Sequence, residues 1–165
     1  MGFNRAQGFR RNPSRKETEA MNDQEMKTRA KEIIGKCAFP AFATVDERGC
    51  PQMRAMMPVT VEDGFTVYYV THRMTAKCRH IAANPKVSTL WMHVVDPMKE
   101  WASVLVKGEA VISDDRALRE RFWMEELRGF FPGGVDDPNF VIIIVKPTEM
   151  IVADHANMMP LVVKM

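Results

Sequence analysis

The sequence predicts a mainly β protein, an antiparallel barrel of six to seven strands with helices packed on its outside. Short extended runs of apolar and β-branched residues outnumber the helical patterns. The loops between neighbouring runs are too short for the crossovers that parallel strands need. With 165 residues, of which 46% are hydrophobic, the chain is about one domain and can bury a packed core.

The extended runs follow Pro40, and turn signals join the first three into hairpin-like units. These signals are Glu47-Arg48-Gly49 and Glu62-Asp63-Gly64. The predicted strands cover residues 41–45, 52–61, 65–71, 87–93, 101–113, 140–145 and 150–153. A barrel is an architecture that removes the open edges of such strands.

Three helices are predicted around these strands. The first begins at the N-cap residue Asn22, with Glu25 three residues on. Its apolar positions at helical spacing are Met26, Ala30, Ile33, Ile34 and Cys37. The second covers residues 75–83 and ends before a proline. The third starts near Ser113 and stops at Gly129. Its buried side carries Leu118, Phe122, Trp123 and Leu127.

Charge and cysteine use exclude several classes of protein. Residues 1–20 hold five Lys/Arg against two Glu, and the rest of the chain holds 18 against 19, so nucleic-acid binding is not expected. Three irregularly spaced cysteines favour a reducing, cytoplasmic setting. No apolar run reaches the roughly 18 residues of a membrane helix. We expect a flexible basic tail over 1–20 and one domain over 21–165.

The candidate ligand-binding residues lie in one predicted strand and at the end of the next. Arg54 lies inside an otherwise apolar strand, and Thr71, Thr75 and Lys77 lie where the next strand turns into a helix. Cations, hydroxyls and the free amides of a helix N-terminus together favour a phosphate group. The apolar side chains beside Arg54, notably those of Met56 and Met57, suit a flat aromatic ring. This pattern indicates a nucleotide-like cofactor.

The order of these elements resembles the pyridoxamine-phosphate-oxidase-like family, and most of all its general-stress-protein branch. The resemblance spans roughly residues 25–153. The matching motifs in chain order are the arginine strand at 54–57, the Thr71, Thr75 and Lys77 set, Asn84-Pro85-Lys86-Val87, the glycine-containing strand at 106–110, and the loop at 131–138. Each motif is weak alone, and their joint order carries the resemblance.

This resemblance implies a split β-barrel that binds flavin mononucleotide (FMN), with Arg54 on the phosphate. It also implies a homodimer whose interface forms part of the flavin groove, and a flavin-dependent oxidoreductase that accepts electrons from a reduced nicotinamide. The implied cofactor-binding residues are Arg54, Ala55, Met56, Met57, Val70, Thr71, Thr75, Ala76 and Lys77. No side chain is assigned as a catalytic acid or base.

Two departures from the family limit what the resemblance implies. The arginine- and histidine-containing C-terminal motif of true pyridoxamine-phosphate oxidases is absent, so oxidation of pyridoxamine phosphate is not expected. The stress-protein branch commonly has a tryptophan near its last strand, where this chain has Glu149-Met150-Ile151.

Several alternatives remain open from the residues. Arg54 could pair with Glu62 or Asp63, and Lys77 could be part of a solvated helix start. No two histidines have the i, i+4 spacing of a zinc site, so no metal is expected. Besides an oxidoreductase, the sequence is compatible with a non-enzymatic flavin-binding protein, or with a barrel that holds deazaflavin or haem.

Overall fold

The computed structural model describes residues 22–156 and 160–165. Three α-helices and eight β-strands make up this part of the chain, together with two 3₁₀ turns. In chain order they are α1 (Asp23–Gly35), β1 (Ala41–Val45), β2 (Pro51–Ala55), β3 (Thr60–Val61), β4 (Val67–His72), α2 (Ala76–Ala83), β5 (Lys86–Asp96), β6 (Glu100–Ser113), α3 (Arg116–Phe122), 3₁₀ turns at Glu125–Gly129 and Gly134–Asp136, β7 (Phe140–Asp154) and β8 (Leu161–Lys164).

All strands join one antiparallel sheet in the order β2-β1-β5-β6-β7-β4-β3, with β8 also paired to β7. The mainly β, antiparallel prediction is therefore confirmed. The two edge strands β2 and β3 are consecutive in the chain and joined only by residues 56–59. This short connection holds the two edges of the curved sheet near each other without hydrogen-bonding them, so the barrel stays open at a seam.

The core fills the inside of this curved sheet. Phe42, Tyr69 and Trp91 are its largest fully buried side chains, and the ring centroids of Phe42 and Tyr69 lie 5.0 Å apart. Helix α1 packs on the core through Met26, Ala30 and Ile33, as its predicted apolar spacing requires.

The start of α1 confirms the predicted capping box. The Asn22 side chain accepts hydrogen bonds from the Gln24 and Glu25 amides, and the Glu25 carboxylate accepts one from the Asn22 amide. These contacts satisfy amides that would otherwise lack a partner at the first turn.

The prediction of one strand over 52–61 is wrong. The chain forms β2 and β3 at opposite ends of the strand order, and the arginine strand ends at Ala55. Pro58 lies in the connection, where its missing N–H and its steric effect on the preceding residue interrupt a ladder. The same break carries the chain from one edge of the seam to the other.

The third predicted helix is also wrong in extent. Asp115 caps α3 by accepting a hydrogen bond from the Leu118 amide, and α3 ends at Phe122. Trp123 and Met124 are extended before the 3₁₀ turn that ends at Gly129. The Trp123 ring packs edge-on against Phe140 at 5.3 Å, and we attribute the break to this packing, which overrides the helical pattern.

Residues 140–145 and 150–153 belong to the single strand β7, which the sequence prediction divided. The register of β6 against β7 shifts between Lys107 and Gly108, and Gly108 lies opposite Pro147. A Cβ on Gly108 would lie 2.2 Å from the Lys146 carbonyl oxygen, so glycine permits the close approach. This irregularity tolerates a proline in mid-strand.

Strand β8 was not predicted, and it brings the sheet to eight strands instead of six to seven. Within the described residues, no helix is long and apolar enough to span a bilayer. The predicted basic tail over 1–20 lies outside the described residues.

Candidate functional site

Arg54 lies on the edge strand β2, directly opposite Phe42 of β1. Its guanidinium lies 5.9 Å from the Phe42 ring centroid. The Arg54 Nη1 atom donates a hydrogen bond to Thr44 Oγ1 at 2.8 Å and a longer one to the Phe42 carbonyl at 3.3 Å. These contacts hold the guanidinium, which is only partly exposed, against β1 at the seam.

The second cation is Lys77, in the first turn of α2. Its Nζ donates to Thr71 Oγ1 at 3.0 Å, and Thr71 is buried near the end of β4. Thr75 occupies the N-cap position of α2, but its side chain makes no capping hydrogen bond. The Thr75 hydroxyl instead donates to Cys78 Sγ at 3.5 Å.

Burial disfavours the charge of both cations, and the charge of Arg54 adds to this effect at Lys77. Burial lowers the pKa of Arg54. Burial also lowers the pKa of Lys77, ionisation of Cys78 would raise it, and the positive charge of Arg54 lowers it further. An anion bound between the cations would reverse both effects, because it replaces lost solvation and screens the repulsion.

Neither cation forms an ion pair within the described part of the chain. The carboxylates considered as partners for Arg54 are engaged elsewhere. Glu62 pairs with Arg121 at 3.1 Å, and Asp63 pairs with Lys31 at 2.8 Å. The alternative that Arg54 forms a salt bridge with Glu62 or Asp63 is therefore wrong.

Strand β2 also presents backbone groups at the sheet edge. The Met56 amide bonds to the Pro40 carbonyl, and antiparallel pairing alternates, so the N–H and C=O groups of Met53 and Ala55 point away from β1. The side chain of Met56 packs against the core, whereas that of Met57 is exposed. The two methionines thus differ in environment, although the sequence analysis gave them one role.

Val70 and Ala76 complete the predicted set. Val70 packs against a second apolar cluster around Phe122 and Phe140, while its neighbour Thr71 is buried near Lys77. Ala76 is exposed at the start of α2. The structure thus places Lys77 on Thr71 and beside Thr75, with Arg54 near enough to act on Lys77 electrostatically, and it turns the Val70 side chain away.

Sequence reasoning missed two residues behind the site, Thr44 and His80. Thr44 accepts the hydrogen bond from Arg54, and its Oγ1 lies 3.0 Å from Nδ1 of the buried His80. The available signal was a hydroxyl in the inward-facing register of β1, two residues after Phe42. No local pattern links it to a histidine 36 residues away.

A groove of about 380 Å³ lies elsewhere, on the outer face of the sheet. Its lining includes Ala43, Val45, Ser88 and Lys107, and it reaches Thr44, but it includes neither Arg54 nor Lys77. The cation pair is therefore not part of this groove.

Comparisons with known proteins identify relatives of this chain. The family model "Pyridoxamine 5'-phosphate oxidase" matches residues 26–153. General stress protein 26 of Bacillus subtilis (strain 168) is 32% identical over 130 residues, which is 79% of this chain and 89% of that protein.

Solved structures extend the comparison. The crystal structure of general stress protein 26 from Bacillus anthracis str. Sterne has 26% identity and a TM-score of 0.69, covering 85% of this chain and 98% of that one. A heme binding protein from Mycobacterium smegmatis shares the fold, with 14% identity and a TM-score of 0.66, over 84% of this chain and 57% of its own. The chain belongs to the pyridoxamine 5'-phosphate oxidase-like split-barrel family and is related to general stress protein 26.

Proposed function

We propose that this protein binds FMN and is a flavin-dependent oxidoreductase whose substrate is not pyridoxamine phosphate. The observation that carries the proposal is the convergence of Arg54 and Lys77 without a carboxylate partner among the described residues. Two partly buried cations that repel each other are costly, and a phosphate monoester would relieve that cost.

The residues at the seam fit FMN. Arg54, Lys77 and Thr71 would hold the phosphate, and the exposed backbone groups of Met53 and Ala55 would bond the polar edge of the ring. A bound flavin supplies hydride and single-electron transfer, with a reduced nicotinamide as the proposed donor. The chain's own contribution is to bind the phosphate, orient the ring along β2 and exclude water.

A homodimer is part of the proposal, because apolar side chains are exposed around β2. Phe39, Met53 and Met57 are 64%, 65% and 54% exposed, and a second copy would cover them. In a homodimer arranged this way, the partner copy would form the other wall of the flavin groove. A cytoplasmic location, where the three free cysteines stay reduced, completes the proposal.

The test is the absorbance spectrum of the purified protein, followed by titration with FMN and with riboflavin. We expect flavin bands that bleach under anaerobic reduced nicotinamide, and a marked preference for FMN over riboflavin. Flavin that stays oxidised would favour the non-enzymatic flavin-binding alternative. A Soret band or deazaflavin band would favour the other cofactors. Equal affinities for FMN and riboflavin would overturn the phosphate assignment.

A further inference from the structure

Arg54 is held from behind by a buried hydroxyl. Thr44 is 1% exposed, and it accepts the shorter of the two hydrogen bonds from Arg54 Nη1, at 2.8 Å. Strand β1 is paired on both sides, with β2 and with β5. The Thr44 hydroxyl is thus on a fixed backbone, and it sets where the guanidinium can lie.

The same hydroxyl connects Arg54 to the helix that carries Lys77. Thr44 Oγ1 lies 3.0 Å from Nδ1 of His80, which is 7% exposed on α2. His80 lies three residues after Lys77, so the two side chains lie within one turn of the same helix. One hydroxyl therefore couples the cation of β2 to the helix that carries the other cation.

The direction of the first of these hydrogen bonds is fixed by chemistry, and that of the second depends on the tautomer of His80. A guanidinium only donates, so Thr44 accepts from Arg54 and uses one lone pair. The single Thr44 proton can then be donated to Nδ1 of a neutral imidazole. This arrangement uses the hydroxyl as both acceptor and donor, and it needs an acceptor atom at the position of His80 Nδ1.

We propose that His80, acting through Thr44, is a positioning residue that orients Arg54 toward a phosphate. This proposal rests on the FMN function proposed above. His80 does not touch the ligand in this scheme. Its Nδ1 atom accepts from Thr44 and keeps the hydroxyl lone pair turned to Arg54, so its effect is confined to ligands that carry the phosphate.

The experiment compares FMN and riboflavin affinities of the full-length protein by fluorescence titration. His80→Leu keeps a side chain of moderate size but removes the acceptor. His80→Asn can place an amide oxygen near the Nδ1 position. We expect His80→Leu to weaken FMN binding about three- to tenfold, the range of one hydrogen bond, with riboflavin affinity unchanged. His80→Asn should restore most of the FMN affinity.

Thr44→Val tests the other link, and Thr89→Val is its matched control. Thr89 is also a buried strand threonine, but its hydroxyl bonds to Tyr69 at 3.0 Å and to no cation. Thr44→Val should reduce the preference for FMN over riboflavin, whereas Thr89→Val should leave this preference unchanged. Both variants should lower the melting temperature by a similar amount. In an Arg54→Ala background, His80→Leu should have no further effect on FMN binding.

The outcomes separate the two proposals. If the parent protein prefers FMN and the His80 and Thr44 variants keep that preference, the positioning role is wrong and the proposed function stands. Equal losses for FMN and riboflavin would mean that His80 is merely structural, which also overturns the inference. If the parent protein shows no preference for FMN, the phosphate site is wrong and the inference falls with it.

Discussion

Two regions of this molecule carry basic side chains, and they differ in whether those side chains have carboxylate partners. Around α3 and the 3₁₀ turn that follows it, three of the four arginines are paired with carboxylates, and the fourth, Arg119, donates to the Asp137 carbonyl. Arg128 Nε lies 2.7 Å from Glu125, and Arg116 bonds to both Glu120 and Asp136. Hydrogen bonds to these carboxylates raise the pKa of Arg116 and of Arg128.

At the seam, burial lowers the pKa of Arg54 and Lys77, and their bonding partners are hydroxyls and a carbonyl. A count of basic residues would not reveal this difference. On the proposed assignment, the mark of the anion site is a pair of partly buried cations acting on each other with no carboxylate partner among the described residues, which a single arginine such as Arg119 does not provide. The paired arginines add to folding, whereas the seam cations lack that compensation and are suited to an external anion.

The largest expected effect follows from removing one seam cation. Lys77→Ala and Arg54→Ala should each weaken FMN binding about tenfold to a hundredfold, because each removes a charge-assisted bond of roughly 1.5–3 kcal/mol. Riboflavin affinity should stay nearly unchanged, since riboflavin lacks the phosphate. Fluorescence titration with both ligands measures this difference.

The melting temperature provides the check on this first prediction. Burial, and to a smaller extent Arg54, disfavour the charge of Lys77 in the free protein, so Lys77→Ala should change the melting temperature little although the bond to Thr71 is lost. A large fall in the melting temperature, with equal losses of affinity for FMN and riboflavin, would mean that Lys77 stabilises the fold and does not bind the phosphate. The distinction between the two regions would then be lost.

The seam should respond to alkali. The pKa of Lys77 is lowered, chiefly by burial, so the free protein loses this charge at a lower pH than the unfolded chain does. The preference for FMN over riboflavin should therefore fall by up to about tenfold as pH rises through the lowered pKa. Over that window the unfolded chain binds more protons, so the ligand-free protein should become more stable with rising pH.

Lys77→Ala is the control for this pH dependence. The variant should show a flat ratio of riboflavin to FMN dissociation constants over the same alkaline range. Using the ratio removes any ionisation of the ring that both ligands share. A persistent alkaline fall in Lys77→Ala would assign the titration to another group.

The sequence was informative where short-range chemistry decides the structure. The capping box of Asn22 and Glu25 and the strand at 41–45 were predicted as observed. The grouping of Thr71, Thr75 and Lys77 could be inferred from spacing alone. Long-range contacts could not be inferred, since nothing local shows that the Trp123 ring packs on Phe140.

The same limit applies within the site. The register of β1 against β2 places Arg54 opposite Phe42 and leaves Thr44 within reach, and a register shift of one residue would turn these side chains to the other face. The contact of Thr44 with His80 depends on how α2 docks, which follows from tertiary packing. Sequence spacing therefore identified the cations but not the residues that hold them.

A smaller effect is expected in the paired region. Arg121→Ala removes the ion pair to Glu62 at 3.1 Å and the contacts of the guanidinium with the rings of Tyr68 and Phe122. The melting temperature should fall by a few degrees, as the loss of about 1 kcal/mol produces. The ratio of riboflavin to FMN dissociation constants should stay within about twofold of the parent, because this cation is already neutralised. A loss of FMN preference as large as that of Lys77→Ala would abolish the distinction between the regions.

The smallest effect concerns the response of the paired region to acid. Hydrogen bonds from Arg128, and then from Trp123, lower the pKa of Glu125 to about 2 from its usual 4.5. The unfolded chain therefore takes up this proton first as pH falls, and stability supplied by the ionised carboxylate is lost between about pH 4.5 and pH 2. Both side chains of the pair are more than half exposed, so solvent and salt screen the contribution.

Glu125→Gln should make the decline in melting temperature over this range shallower by a small amount that shrinks further in high salt. Glu126→Gln, at the neighbouring position, is the matched control and should follow the parent curve. If the two variants gave the same acid profile, Glu125 would add nothing to stability through its charge, and the pairing that distinguishes this region from the seam would be geometric only.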